Sequence, residues 1–347
     1  MTMTAPKNDP VRNPLTQSQS LIFTGQILAG KCPLYNMIYA FEIEGRLSPH
    51  QFVRSFENLL NVTDALRLTF EVVGDGSFRQ VINDMSDFTL PIIDKASEPD
   101  FSFEDWSTKQ GTSYLDPSTR IFDSALVRLT ESKFGWYLNI HHLATDALSF
   151  PVLLKRLSDL YGQLDKGIKS RDSYPRYLDY VSYEAAEKEK DNDVSDYWNN
   201  ELERVLPPIA LAGNRLEDES TNSVRISVDL GARRQARLAQ LLEDTSFRSL
   251  TKQLSAYNFY NALLSVFVSD LSGQPGATIG SPVHNRITPE HKNTAGLFIE
   301  FFPITTEFQL NESFSEVIKK VSVESLKFFR NSRPGKAWPE LSSSFNV

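Results

Sequence analysis

The sequence has a single cysteine, Cys32, in 347 residues. One thiol makes no internal disulfide, no zinc–cysteine cluster and no CxxC redox site, and it fits a reducing compartment, so a cytoplasmic location is expected. Positive charge is also in short supply: 36 Lys and Arg against 44 Asp and Glu give a formal net charge of -8. Binding to a phosphate backbone needs a basic stripe that displaces counterions, so nucleic acid is not an expected partner. Residues 1–13 are polar, carry Pro6 and Pro10, and hold no apolar run fit for a secretory signal or a membrane span. They read as part of a disordered lead over residues 1–14, and no membrane partner is expected. No Gly-rich phosphate loop follows any candidate strand, no G-x-S-x-G elbow occurs, and there is no regular βαβ rhythm.

What is present is apolar residue in quantity. A hydrophobic content of 40% supplies a large core, and the length exceeds that over which one core usually stays undivided, which predicts two subdomains. Residues 18–23 read as the start of a short helix. Met37, Tyr39, Phe41 and Ile43 then alternate with Ile38, Ala40, Glu42 and Glu44 up to Gly45, the period of a strand. Ser48-Pro49-His50-Gln51 has the form of a capping box, and Phe52, Phe56, Leu59 and Leu60 continue an apolar helical face for about three turns. Asp75-Gly76 between residues 66–73 and 78–82 predicts a hairpin, and residues 131–135 between 121–129 and 136–140 predict a second. Val152, Leu153, Leu157, Leu160 and Tyr161 have helical spacing.

A polar segment with Lys166, Lys169, Arg171 and Asp172 precedes Tyr174-Pro175, and residues 184–194 are densely charged. The first subdomain is expected to give way there. Beyond it, residues 223–230, 278–280 and 298–306 predict strands, and residues 233–242, 255–271 and 314–329 predict helices. Mixed elements in both halves give an α/β fold class of α+β sandwich type, with subdomains over residues 15–185 and 186–347.

Five histidines are candidates for chemistry: His50, His141, His142, His284 and His291. His50 and His291 read as surface or hydrogen-bonded structural residues. His141 and His142 close the second strand of the second hairpin. Neighbours on a strand point to opposite faces, so one ring turns toward a cleft and the other into the body of the subdomain. An imidazole with an ordinary pKa of about 6.5 accepts a proton near neutral pH, which suits a general base. Asp146 sits just ahead of the following helix, where a carboxylate caps the N-terminus and meets its dipole. Two adjacent histidines on opposite faces cannot converge on one ion, so no metal is expected. Ser149 lies too close after the histidines to call for a nucleophilic role.

The nine residues His141-His142-Leu143-Ala144-Thr145-Asp146-Ala147-Leu148-Ser149 resemble the HHxxxDG-x-S motif of the condensation domains of nonribosomal peptide synthetases, in the chloramphenicol-acetyltransferase-like superfamily. Other segments match in the same order. Leu15-Thr16-Gln17-Ser18-Gln19 with Tyr35-Asn36 resembles the opening motif, and Leu66-Arg67-Leu68-Thr69-Phe70 the LRTxF segment. Tyr177-Leu178-Asp179-Tyr180 and Asp196-Tyr197-Trp198 resemble the segments after the catalytic helix. Ile279-Gly280-Ser281-Pro282-Val283-His284-Asn285-Arg286 and Gly296-Leu297-Phe298 resemble the IGxPVxxR and GxF motifs.

The resemblance implies two chloramphenicol-acetyltransferase-like subdomains in a V-shaped pseudo-dimer, with the histidine motif at the bottom of a channel. Carrier proteins, acyl or peptidyl, would bring donor and acceptor on phosphopantetheine arms, with no cofactor bound directly, and an adenylation domain is an expected neighbour. By the same resemblance His142 is catalytic and His141 structural, and Asp146 pairs with Arg286 to hold the loop. Ala147, Ser149 and Arg67 support the motif, while Gln19, Tyr35, Ser281 and Glu300 are expected along the substrate channel.

Three positions depart from the family pattern. Ala147 stands where glycine is usual, Glu300 where asparagine is usual, and Thr63-Asp64 where a His-Glu pair is common. Residues 343–347 read as entering a late strand, so the second subdomain is expected to be incomplete. Three readings follow: amide or ester formation between carrier-bound substrates, acyl transfer from coenzyme A to a small alcohol or amine, and a noncatalytic module that docks carrier proteins.

Overall fold

Alternation in residues 36–44 produces the strand that organises the first half of the chain. The computed structural model describes residues 11–85, 87–166, 173–190, 194–207, 226–245, 247–309 and 311–336. Contacts divide the chain into two compact units, Met1–Glu189 with His284–Ile299, and Lys190–Val283 with Glu300–Val347.

In the first unit the elements run β1 (Arg12–Pro14), α1 (Gln17–Ala29), β2 (Asn36–Glu44), α2 (Pro49–Val62), a short 3-10 turn (Asp64–Arg67), β3 (Leu68–Val72), β4 (Phe78–Ile82), β5 (Ile92–Asp94), α3 (Phe103–Gly111), β6 (Phe122–Arg128), β7 (Lys133–His141), α4 (Ser149–Asp165) and α5 (Tyr177–Glu189). The larger sheet has the order β2-β7-β6-β5. β7 lies antiparallel to β2 from Asn36 opposite His141 to Glu44 opposite Lys133, and antiparallel to β6 on its other side. One face of β7, Trp136, Leu138 and Ile140, packs with Phe56, Leu59 and Leu60 of α2 and Leu153, Leu157 and Leu160 of α4. Each such fully buried side chain contributes roughly 1.5–3 kcal/mol. The opposite face carries Tyr137 into a smaller cluster with Phe103 and Val127. Gly135 is needed there, because a Cβ on it would fall 2.5 Å from the Phe103 ring.

The disordered lead expected over residues 1–14 does not include its last three residues. Residues 12–14 form β1, paired with β4 and tied by an Arg12–Glu71 ion pair at 2.6 Å and by Gln80 Nε2 donating to Pro14 O at 2.7 Å. Residues 1–10 lie outside the described residues, as do Lys169, Arg171 and Asp172. The box predicted at Ser48 is half made: Ser48 Oγ accepts from Gln51 N, but Gln51 Nε2 turns to Tyr161 O on α4. The Tyr161 hydroxyl accepts from Ser48 N in its place, so helix packing overrides the local motif.

In the second unit lie α6 (Val194–Glu203), α7 (Gly231–Glu243), α8 (Lys252–Ser272), β8 (Gly276–Val283), β9 (Glu300–Glu307) and α10 (Phe314–Asn331); the short α9 (Pro289–Lys292) groups with the first unit. β8 and β9 pair antiparallel from Gly276 opposite Glu307 to Val283 opposite Glu300. Two small apolar clusters support them, one around Trp198, Phe302 and Phe328, the other around Phe308, Val317 and Val321. Of the strand expected over 223–230, residues 226–230 carry none and 223–225 lie outside the described residues; the late strand at 343–347 also lies outside them. Both units mix helices and strands, an α/β class.

Candidate active site

The strand β7 ends at His141, and the chain turns through His142, Leu143 and Ala144 before α4 begins at Ser149. Two backbone bonds fix that turn: His142 N donates to Tyr35 O at 2.8 Å, and Ala144 N to His141 O at 3.0 Å. Gln19, on the buried face of α1, adds a third by donating from Nε2 to Leu143 O at 3.1 Å.

The two histidines occupy opposite environments. His141 is 1% exposed. Its Nδ1 accepts from Leu143 N at 3.1 Å, which places the proton on Nε2, 3.0 Å from Gln26 Oε1. Burial, with His142 second, pushes the His141 pKa down to about 4, so the ring is a neutral, doubly hydrogen-bonded strut. His142 is a partly exposed residue, and its ring Nδ1 is sealed and has no hydrogen-bond partner.

Asp146 is buried and bonded on all sides. Arg286 grips it with Nη2 on Oδ1 at 2.9 Å and Nη1 on Oδ2 at 3.1 Å. Ser149 N donates to Oδ1 at 3.0 Å, and Phe298 N to Oδ2 at 3.1 Å. A bidentate pair of this kind is stable in the interior only when the remaining lone pairs and protons are also met. Ser149 Oγ completes the set: it donates to Gly296 O at 2.7 Å and accepts from Gly296 N at 3.0 Å and Arg286 Nη2 at 2.9 Å. The Arg286 guanidinium carbon lies 4.0 Å from the centre of the Phe298 ring, a cation–π contact. Burial pushes the Arg286 pKa down, and the Asp146 carboxylate opposes that shift. Asn285 just before it has φ 47, a conformation asparagine tolerates better than most residues.

Gly296 is required by close approach. A Cβ there would meet the Tyr177 ring at 2.0 Å, and Tyr177 is itself fixed by its hydroxyl donating to Leu297 O at 2.7 Å. Carboxylate, guanidinium, serine and the Gly296–Phe298 backbone thus form one latch that sets the start of α4 and the turn holding His142.

Other expected site residues fall elsewhere. Gln19 is fully buried, with its amide spent on Leu143 O and Gln80, so it braces the turn and presents nothing to a channel. Tyr35 acts through its carbonyl on His142. Ala147 is exposed and, among the described residues, the one non-glycine at positive φ is Asn285, so the extra methyl of Ala147 brings no backbone strain. Arg67 donates from Nη1 to Asn83 O at 3.3 Å. Ser281 lies in β8 of the second unit, its hydroxyl 2.5 Å from that of Tyr257. Glu300 is 2% exposed and accepts from Gly335 N at 2.9 Å, a structural bond within the second unit. His50 is exposed, and His291 packs edge-on against Tyr180 and Tyr183. Among the described residues no three His, Cys, Asp or Glu side chains are grouped to hold a metal ion, and no helix is long and apolar enough to cross a membrane.

Sequence reasoning missed Gln26, and it missed the roles of Tyr177, named only within a motif, and of Asp64. Gln26 follows Gln19 and Phe23 on the buried face of α1, and a second amide on that helical face was the available signal. The carboxylate of Asp64, known only as a departure from a common pair, accepts from Tyr177 N at 2.9 Å and Leu178 N at 3.0 Å and so caps α5.

Comparison with known proteins points to one family. The family model described as "Condensation domain" matches residues 12–335. Surfactin synthase subunit 1 of Bacillus subtilis is 28% identical over 300 residues, 85% of this chain but 8% of that protein. The dimodular nonribosomal peptide synthase of the same organism is 26% identical over 92% of this chain and 13% of its own length. The isonitrile lipopeptide synthase of Streptomyces coeruleorubidus is 25% identical over 90% of this chain and 21% of its length. The chain therefore spans a small part of these curated relatives. Among solved structures, the first condensation domain of the calcium-dependent antibiotic synthetase superposes with a TM-score of 0.75 at 20% identity, over 92% of this chain and 76% of that one. The starter condensation domain of rhizomide synthetase gives 0.77 at 20% identity, over 93% and 72%. At that identity the likeness is one of fold.

Proposed function

This chain belongs to the condensation-domain family, and from that membership we propose that it is an acyltransferase joining a carrier-bound acyl thioester to a carrier-bound amine, or to a hydroxyl where an ester is made. The observation that carries the reading is His142, partly exposed in a turn that a buried Asp146–Arg286–Ser149 latch holds in place. The phosphopantetheine arms of acyl or peptidyl carrier domains deliver both substrates, and an adenylation domain is the natural neighbour. This assignment draws on the synthetase character of the relatives.

The chemistry needs three things: a neutral nucleophile, alignment, and stabilisation of the tetrahedral oxyanion. The amine attacks the thioester carbon, and His142 takes its proton as the C–N bond forms. The C–S bond then breaks, and the proton passes to the departing sulfur. His141, held neutral and bonded at both nitrogens, does no acid–base work near neutral pH. At the start of α4 the Ser149 N–H is committed to Asp146 and Pro151 has no N–H, which leaves the Phe150 N–H as the donor of the first helical turn.

The test is to mix a carrier-loaded acyl donor with a carrier-loaded aminoacyl acceptor and weigh the intact carriers by mass spectrometry. His142→Ala is expected to lower product formation by about a hundredfold or more, with circular dichroism and carrier binding unchanged. Equal product from the variant removes His142 from the mechanism, and carrier binding without product from the wild-type chain favours a docking module.

A further inference from the structure

In the stretch from His141 to Ser149 the buried polar side-chain atoms are hydrogen-bonded except two, His142 Nδ1 and Thr145 Oγ1. Both are sealed from solvent and have no partner. They stand three residues apart in one segment, between the backbone bonds that fix His142 and the carboxylate latch that fixes Asp146.

The two orphans answer one chemical need. Nδ1 of His142 is sealed while the residue is partly exposed and Nε2 is not among the sealed atoms, so the nitrogen left for a substrate to reach is Nε2. A neutral imidazole has one N–H. For Nε2 to accept a proton, that N–H must be on Nδ1, and a buried N–H without an acceptor is costly. Left alone, the ring would favour the opposite tautomer, with its proton on the wetter nitrogen and no base facing the substrate. Thr145 Oγ1 is a buried hydroxyl with lone pairs and no partner, and the residue is 1% exposed.

We propose that Thr145 Oγ1 accepts the Nδ1–H of His142 through a single enclosed water, and so fixes the tautomer in which Nε2 is the base. Thr145 is a positioning residue: it touches no substrate. During transfer Nε2 takes the amine proton and the ring becomes an imidazolium, whose Nδ1–H needs its acceptor more. Nε2 then gives that proton to the sulfur released by C–S cleavage, and the ring returns to the Nδ1–H form. Net products are amide and thiol, with no proton gained or lost by the protein. The consequence for rate rests on the acyl-transfer reading; the tautomer does not.

The experiment uses the whole chain with 15N-labelled histidine and reads the His142 ring by long-range proton–nitrogen correlation, assigned with His142→Ala. Thr145→Val removes the hydroxyl and keeps the shape, Thr145→Ala is a second hydroxyl-free variant in case the first does not fold, and Thr145→Ser restores the acceptor. Wild type and Thr145→Ser should show the Nδ1–H tautomer, and the hydroxyl-free variants the Nε2–H form. In the condensation assay kcat should fall about tenfold, the rate equivalent of one hydrogen bond, with KM unchanged and recovery in Thr145→Ser. An Nε2–H ring in wild type, or one spectrum shared by wild type and Thr145→Val, overturns the proposal. A switched tautomer in a chain that makes no product upholds it and sinks the acyl-transfer reading instead.

Discussion

His141 and His142 are one peptide unit apart and differ in everything around their rings. His141 is closed in with Leu143 N on one nitrogen and Gln26 on the other, and its pKa is pushed from 6.5 to about 4 by burial first and by His142 second. Above pH 6.5 the ring is neutral in folded and unfolded chains alike. As the pH falls through 6.5 the unfolded chain takes up a proton that the folded ring refuses, and stability declines until about pH 4, where the folded ring is protonated too. The full span is worth about 3 kcal/mol. Urea titrations at steps between pH 7 and 5 should show this slope in wild type and a flatter one in His141→Gln; parallel slopes would mean that His141 is not the group responsible. The opposite-face argument reached this asymmetry from sequence, although β7 ends at His141 and His142 already lies in the turn, where its N–H bonds to Tyr35 O. It could not reach the partner, since Gln26 sits on α1, 115 residues away.

At the scale of elements, the caps and latches decide what was legible. Ser48 and the Asp75-Gly76 turn act over a few residues and can be read directly, as can the alternation that makes β2. The pairing of Asp146 with Arg286 spans 140 residues, and it was anticipated through family resemblance, with the general need of a buried carboxylate for a partner behind it. Gln19 and Glu300 show the converse. Each is polar and was placed along a channel, yet each is buried because a distant main-chain group needed it: Leu143 O for Gln19, Gly335 N for Glu300. The face of α8 was equally closed to sequence reasoning. It buries Ser255, Asn258, Asn261, Ser265 and Ser269 and exposes Leu263, Leu264, Phe267 and Leu271, since bonds such as Asn258 to Ser322 reward the polar side. Asp64 offers the test at this scale. Its carboxylate takes two N–H groups at the start of α5, so Asp64→Ala should cost about 1–3 kcal/mol in urea denaturation, and Asp64→Asn less. Faster amide exchange at Tyr177 and Leu178 in the alanine variant would locate the loss at that helix end; unchanged exchange there would deny the cap its role.

Across the molecule, apolar burial is unevenly shared. The first unit holds one continuous cluster reaching from Phe23 to Phe298, covering a four-stranded sheet with α2 and α4. The second has two small clusters around the β8–β9 pair, and a pair of strands alone is marginal in water. Cooperative unfolding of a whole chain needs cores of comparable strength or tight coupling, and units with separate cores open at separate free energies. Native-state hydrogen exchange in rising urea should therefore show β8 and β9 amides losing protection at lower denaturant than those of β6 and β7. The near-ultraviolet signal of Trp136, buried in the first unit, should follow the later step, and the fluorescence of Trp198 in the second unit the earlier one. A single transition shared by both tryptophans and by all four strands would instead make the chain one cooperative body, and the smaller clusters would then draw stability from outside themselves.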